Sequence, residues 1–132
     1  MSIKAQLEAI AKKRMQDVDD IYRTSVIRVG NRIVTATPVD KASLINHWNT
    51  SIGAPKYDKS RPNSNAGADS INELAQTING SRVGEVAYFN NPMPYGPRIE
   101  YDGYSEKAPN GMVRINTDLW ETIVNEEVVK RK

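Results

Sequence analysis

A chain of 132 residues has room for one domain that buries roughly two-thirds of its unfolded surface, and too little for two. With 39% hydrophobic and 26% charged residues it has an ordinary soluble composition, and no apolar run approaches the ~20 residues that cross a bilayer. The absence of cysteine excludes a disulfide framework and a thiolate zinc site, and a net charge of +2 with acids interspersed among the bases does not by itself argue for nucleic-acid binding.

The N-terminus carries one basic residue, Lys4, before Gln6, and no continuous apolar stretch of a secretory signal, so synthesis in the cytoplasm is expected. From Ile3 to Ile33, residues of one stripe recur at steps of three and four through Leu7, Ile10 and Ala11, Met15, Val18, Ile21 and Tyr22, Ser25 and Val29, predicting a helix over about 3–34 with Ser2 as its N-cap. Its outer face is charged, with a favourable Lys13–Asp17 pair and an unfavourable Arg28–Arg32 pair, and Gly30-Asn31 is a place where the end could shorten or kink. Such a helix spans ~45 Å, more than a core of this size needs, so its stripe either lies along its own sheet or partly faces another subunit. Lys12-Lys13-Arg14 reads as a solvated face, because Asp17, Asp19 and Asp20 follow within two turns.

Pro38 ends that helix by pushing Thr37 out of the αR region. Apolar residues at even positions, Leu44, Trp48 and Ile52, predict a first strand near 44–53. His47 is the sole histidine, and without a second one or a cysteine it reads as a surface or hydrogen-bonded structural residue. Residues 53–69 are polar and rich in turn formers, predicting a long mobile loop whose Lys56, Lys59 and Arg61 are candidates for contact with passing DNA if the loop lines a channel. Asp69 or Ser70 can cap a short helix through Ile71, Leu74, Ala75 and Ile78 that stops at Gly80, and residues 83–88 alternate as a second strand. A last helix is predicted from Val113, Asn116, Leu119, Trp120, Ile123, Val124 and Val128.

Between these elements lies the distinctive stretch, residues 87–114. Pro92, Pro94, Pro97 and Pro109 fix its path, and Tyr88, Phe89, Tyr95, Tyr101 and Tyr104 supply rings to pack it. Residues 91–98 are therefore expected as a rigid extended connector, and a third strand could follow near 98–102.

The pattern Asn90-Asn91-x-Pro followed by Tyr95-Gly-x-x-Ile99-Glu100-Tyr101-x-Gly103-x-Ser105, then Ala108-Pro109-x-Gly111-Met112-Val113-Arg114, resembles the small neck and tail-completion proteins of tailed bacteriophages. Upstream, Thr37-Pro38-Val39-Asp40, Leu44 and Trp48 resemble the same family, with Lys41-Ala42 here where the family commonly has Thr-Gly. The resemblance covers roughly residues 35–52 and 83–115. It implies a structural virion protein at the head-to-tail junction (neck, tail completion or tail terminator), working as copies in a ring. Its implied partners are itself, other neck and tail proteins, and genomic DNA in passing, with no membrane and no cofactor. Subunit-interface candidates on this footing are Pro92, Tyr95, Arg98, Glu100, Tyr101, Tyr104, Met112 and Arg114.

Glu100, Asp102 and Glu106 are the acids of this stretch, and their spacing matches no cation-loop signature; the chain also lacks a phosphate-binding glycine loop, a nucleophile elbow and a His-Glu-x-x-His motif. No catalytic, metal or cofactor residue is expected, and Glu100 reads as a buried or interfacial carboxylate held by hydrogen bonds or by Arg98 or Arg114. The expectation is a single α+β domain over 1–132: long N-terminal helix, small mostly antiparallel sheet, short middle helix and C-terminal helix. The alternative function is a small nucleic-acid-binding regulator, which would bind DNA in a salt-dependent way.

Overall fold

The computed structural model describes residues 2–39, 42–62, 66–103 and 105–132. The architecture is α+β. Helix α1 (Ile3–Ala36) starts at Ser2, whose Oγ accepts the Ala5 N–H at 3.1 Å. It ends at Thr37, whose hydroxyl donates to Ile33 O at 2.8 Å and accepts the Trp48 indole N–H at 2.9 Å, with Pro38 barring a further turn. Gly30 does not end the helix, which continues to Ala36. A Cβ there would stand 2.4 Å from Leu74 Cδ2, so the glycine lets the next long helix, α3 (Ala68–Asn79), pack closely on α1.

The first strand is shorter than expected. Leu44 sits in a single helical turn, α2 (Ala42–Ile45), and β1 covers only Asn49–Ile52, because a short apolar run satisfies a helical turn as well as a strand. β1 pairs antiparallel with β2 (Ala87–Asn90) in the register Asn49↔Asn90 to Ile52↔Ala87, making a two-stranded sheet. Trp48 stacks on Phe89 with ring centroids 5.0 Å apart, anchoring the sheet to the core. α3 starts at Gly67, in the left-handed region at φ 95°, and not at an Asp69 or Ser70 cap. Ser70 instead accepts the Trp48 N–H and donates to Ile45 O, tying α3 to the end of α2.

Two further corrections concern the proline-rich half. The expected third strand near 98–102 is a helix, α4 (Gly96–Tyr101), so the extended connector ends before Arg98. Pro97 falls in the first turn, where its missing N–H has no helical partner to lose and its fixed φ suits the helix. The C-terminal helical region is two helices, α5 (Arg114–Thr117) and α6 (Trp120–Lys130), separated at Asp118-Leu119.

α1 packs against α3, α5 and α6, around a core that includes Ile33, Val34, Leu44, Trp48, Ile99, Met112 and Ile123. Only its C-terminal half takes part. The first hydrogen bonds from α1 to another segment are Asp19 Oδ1 accepting from Val83 N at 2.9 Å and Arg23 Nε donating to Ser81 O at 2.6 Å. Before them Ile3, Leu7 and Ile10 are 75%, 61% and 57% exposed, and Met15 and Val18 are exposed as well. A free helix of this length is marginal in water, so its order propagates from the packed half. No helix among the described residues is long and apolar enough to cross a membrane.

Candidate functional site

The residues that carry the family resemblance close on themselves. Glu100, on α4, is 6% exposed. Its Oε1 accepts the backbone N–H groups of Met112 (2.6 Å) and Val113 (2.7 Å), and its Oε2 accepts from Arg114 N (3.0 Å) and Arg114 Nε (2.9 Å). Arg114 also donates through Nη2 to Glu100 O at 2.5 Å, and its guanidinium lies 4.7 Å over the Tyr101 ring. Gly111, at φ +87°, makes the approach possible, since a Cβ there would stand 2.5 Å from Glu100 O. Burial works against the charged carboxylate, but the three backbone N–H donors and Arg114 outweigh it and hold Glu100 below the usual carboxylate range. Four donors fill the roughly four lone-pair positions of a carboxylate, so Glu100 has no acceptor site left for a substrate proton. Among the described residues no group of three or more histidine, aspartate or glutamate side chains converges as a metal site.

This geometry redistributes the interface candidates. Glu100 and Met112 lie inside the subunit, Met112 at 2% exposure, so neither is available to a neighbour. Pro92 and Tyr95 are half-buried, and the Tyr95 hydroxyl is hydrogen-bonded to Ser43 Oγ. Arg98, Tyr101 and Arg114 remain at the surface, and Tyr104 lies outside the described residues.

The 53–69 stretch is pinned along residues 56–61. Arg61 turns into its own subunit: its side chain is 9% exposed, and the guanidinium meets Glu73 Oε1 at 2.6 Å and donates to Asn46 O (3.2 Å) and Trp48 O (2.9 Å). Lys56 Nζ pairs with Glu73 Oε2 at 2.5 Å, while Lys59 is exposed. Asn49 clasps Asp58 through both its side-chain atoms. His47 is buried, with Nδ1 against Ser43 O at 2.5 Å and Nε2 accepting the Arg61 N–H at 3.1 Å. It is the hydrogen-bonded structural histidine among the two expectations. Residues 63–65 lie outside the described residues.

Glu73 carries no local signal in the sequence, because Lys56, Arg61 and Thr50 reach it from other segments, whereas Glu127 has local partners at i+3 and i+4 and a remote one in Arg28. Burial disfavours the Glu73 charge, but Lys56, the Thr50 N–H and Arg61 lower its pKa on balance. Glu127, buried on α6, receives Lys130 and Arg131 from its own helix and Arg28 of α1 at 2.7 Å. Arg28, read from sequence only as a like-charge neighbour of Arg32, thus joins α1 to α6, and Arg32 Nε donates to Asn116 Oδ1 at 3.1 Å. Hydrogen bonds from Lys130 and Arg131 bring Glu127 down to about 2 from an ordinary 4.5. A lowered carboxylate pKa contributes stability that is complete above 4.5 and lost as pH falls through 4.5 toward 2. With Lys130 largely in solvent and Arg28 and Arg131 partly exposed, the expected loss is on the order of 1–2 kcal/mol. Urea unfolding of wild type and Glu127→Gln between pH 6 and pH 2 checks it: the variant's stability should fall less over that window.

Among the described residues, the N-terminal half of α1 leaves a run of apolar side chains, Ile3, Leu7, Ile10, Met15 and Val18, exposed. Comparison of the chain with protein-family models, with curated proteins and with solved structures finds no match in any of the three.

Proposed function

We propose that the chain is a structural protein of a tailed bacteriophage virion, one copy in a homo-oligomeric ring at the neck that completes the tail and joins it to the head. Its partners are then further copies of itself and the adjoining neck and tail proteins, with genomic DNA passing nearby. The observation that carries this reading is the N-terminal half of α1, which stands clear of its own core with Ile3, Leu7 and Ile10 in solvent. Fully burying each such side chain is worth roughly 1.5–3 kcal/mol, which favours a state in which another chain covers them.

The Glu100–Arg114 clamp supports the same reading. It stiffens the stretch bearing Arg98 and Tyr101 before any partner arrives, so little ordering entropy is spent on docking. The chain then acts by shape and performs no turnover.

Electron microscopy of particles from a phage with a stop codon early in this reading frame tests the proposal. Filled heads detached from tails, or tails with malformed upper ends, are the expected result. Normal infectious particles would remove the neck reading.

A further inference from the structure

We infer that the free half of α1 docks into an apolar groove on the next copy of the same chain, formed where its α1, α3, β2 and C-terminal helices meet. The groove contains a hollow of about 190 Å³ lined by residues that include Val26, Ile33, Leu74, Phe89 and Trp120. Val26, Leu74 and Phe89 also line a neighbouring hollow of about 400 Å³, in whose wall Glu85 stands. The first alone has room for an aliphatic side chain, since a dry cavity of ~150 Å³ accepts a benzene-sized guest.

A copy cannot fill its own groove. α1 is one unbroken helix, so at about 1.5 Å per residue Leu7 stands ~28 Å along the axis from Val26. The exposed stripe runs Ile3, Leu7, Ile10, Arg14 and Val18 in steps of four, three, four and four. That period is close to the 3.6 of a straight helix and longer than the 3.5 of a left-handed coiled coil. Arg14 sits in the middle of the stripe, 3.9 Å from Asp17 of its own helix and with its side chain still 72% exposed, and Lys4 flanks the stripe. The groove does supply acids. Glu85 lines it, and the exposed Asp118 and Glu121 follow Thr117 and Trp120 of its wall. Aliphatic knobs with flanking cations therefore meet an apolar trough with acids at its edges.

Such a contact joins two different faces of the same chain, so it repeats from copy to copy and either closes a ring or propagates. It rests on the ring reading above only for closure; the contact itself is testable on the purified protein. The chain has no cysteine, so introduced thiols report one contact each. Leu7→Cys protein is mixed with Thr117→Cys protein and oxidised at the highest soluble concentration, with melting curves to show that both exposed-site variants fold.

A disulfide dimer joining the two variants is expected. Lys4→Glu with Arg14→Glu on the first partner should cut its yield roughly tenfold, and Glu85→Lys with Glu121→Lys on the second should restore it. Absence of the mixed dimer, or dimers of Leu7→Cys with itself in its place, would overturn the inference. The mixed dimer together with normal stop-codon particles would retain the docking and remove the neck role. Defective particles without the mixed dimer would do the reverse.

Discussion

Glu100→Ala is expected to lower folding stability by about 3–5 kcal/mol, more than any other single substitution in the candidate site. The change strands the N–H groups of Met112, Val113 and Arg114 and leaves the Arg114 guanidinium without its carboxylate. Nothing nearby replaces them: Gly111 brings this backbone against α4 only because the Glu100 side chain and carbonyl receive it. Met112, a core residue one position on, would loosen with it. In urea the midpoint should drop with an unchanged slope. Glu100→Gln keeps one acceptor oxygen but turns an amide NH₂ toward N–H donors, and should cost about half as much. A catalytic carboxylate would behave differently, leaving stability intact on amidation. An unchanged midpoint for Glu100→Ala would show that the clamp does not hold the fold.

Arg61→Ala is expected to cost about 3 kcal/mol, because it leaves Glu73 half-compensated and removes the guanidinium's hydrogen bonds to the Asn46 and Trp48 carbonyls. Its effect should reach the hydrophobic core, since the Trp48 ring stacks on Phe89 and its indole N–H closes the end of α1. Thermal melting separates this from a DNA-contact role. A residue serving only to meet DNA could be removed with the melting temperature unchanged, as is expected for the exposed Lys59→Ala, within about 0.5 kcal/mol. A wild-type melting curve for Arg61→Ala would restore the channel-loop reading of that side chain.

Much of the helical architecture is legible locally. The period of the apolar residues marks α1 and α3, Ser2 caps α1, Pro38 stops it and Gly80 stops α3, because capping and helical amphipathicity act over a few neighbouring residues. The motif around Glu100 and Arg114 also stands out in the chain, although composition alone does not say whether its acid faces a partner or the interior.

Other features required the folded chain. Proline reads as a breaker, yet at Pro97 it begins a helix; Leu44 fits strand alternation, yet occupies a helical turn, since short runs satisfy either period. Arg61 looks like a loop cation until Glu73, Asn46 and Trp48 surround it, and Arg28 like half of a repulsive pair until Glu127 arrives from the far end of the chain. The stripe of α1 is the clearest division. Its period was set by the order of residues and is the same from Ile3 to Ile33, while which half is covered depends on where α3, α5 and α6 pack. Periodicity records which side of a helix is apolar, and only tertiary packing decides how far along it the core extends.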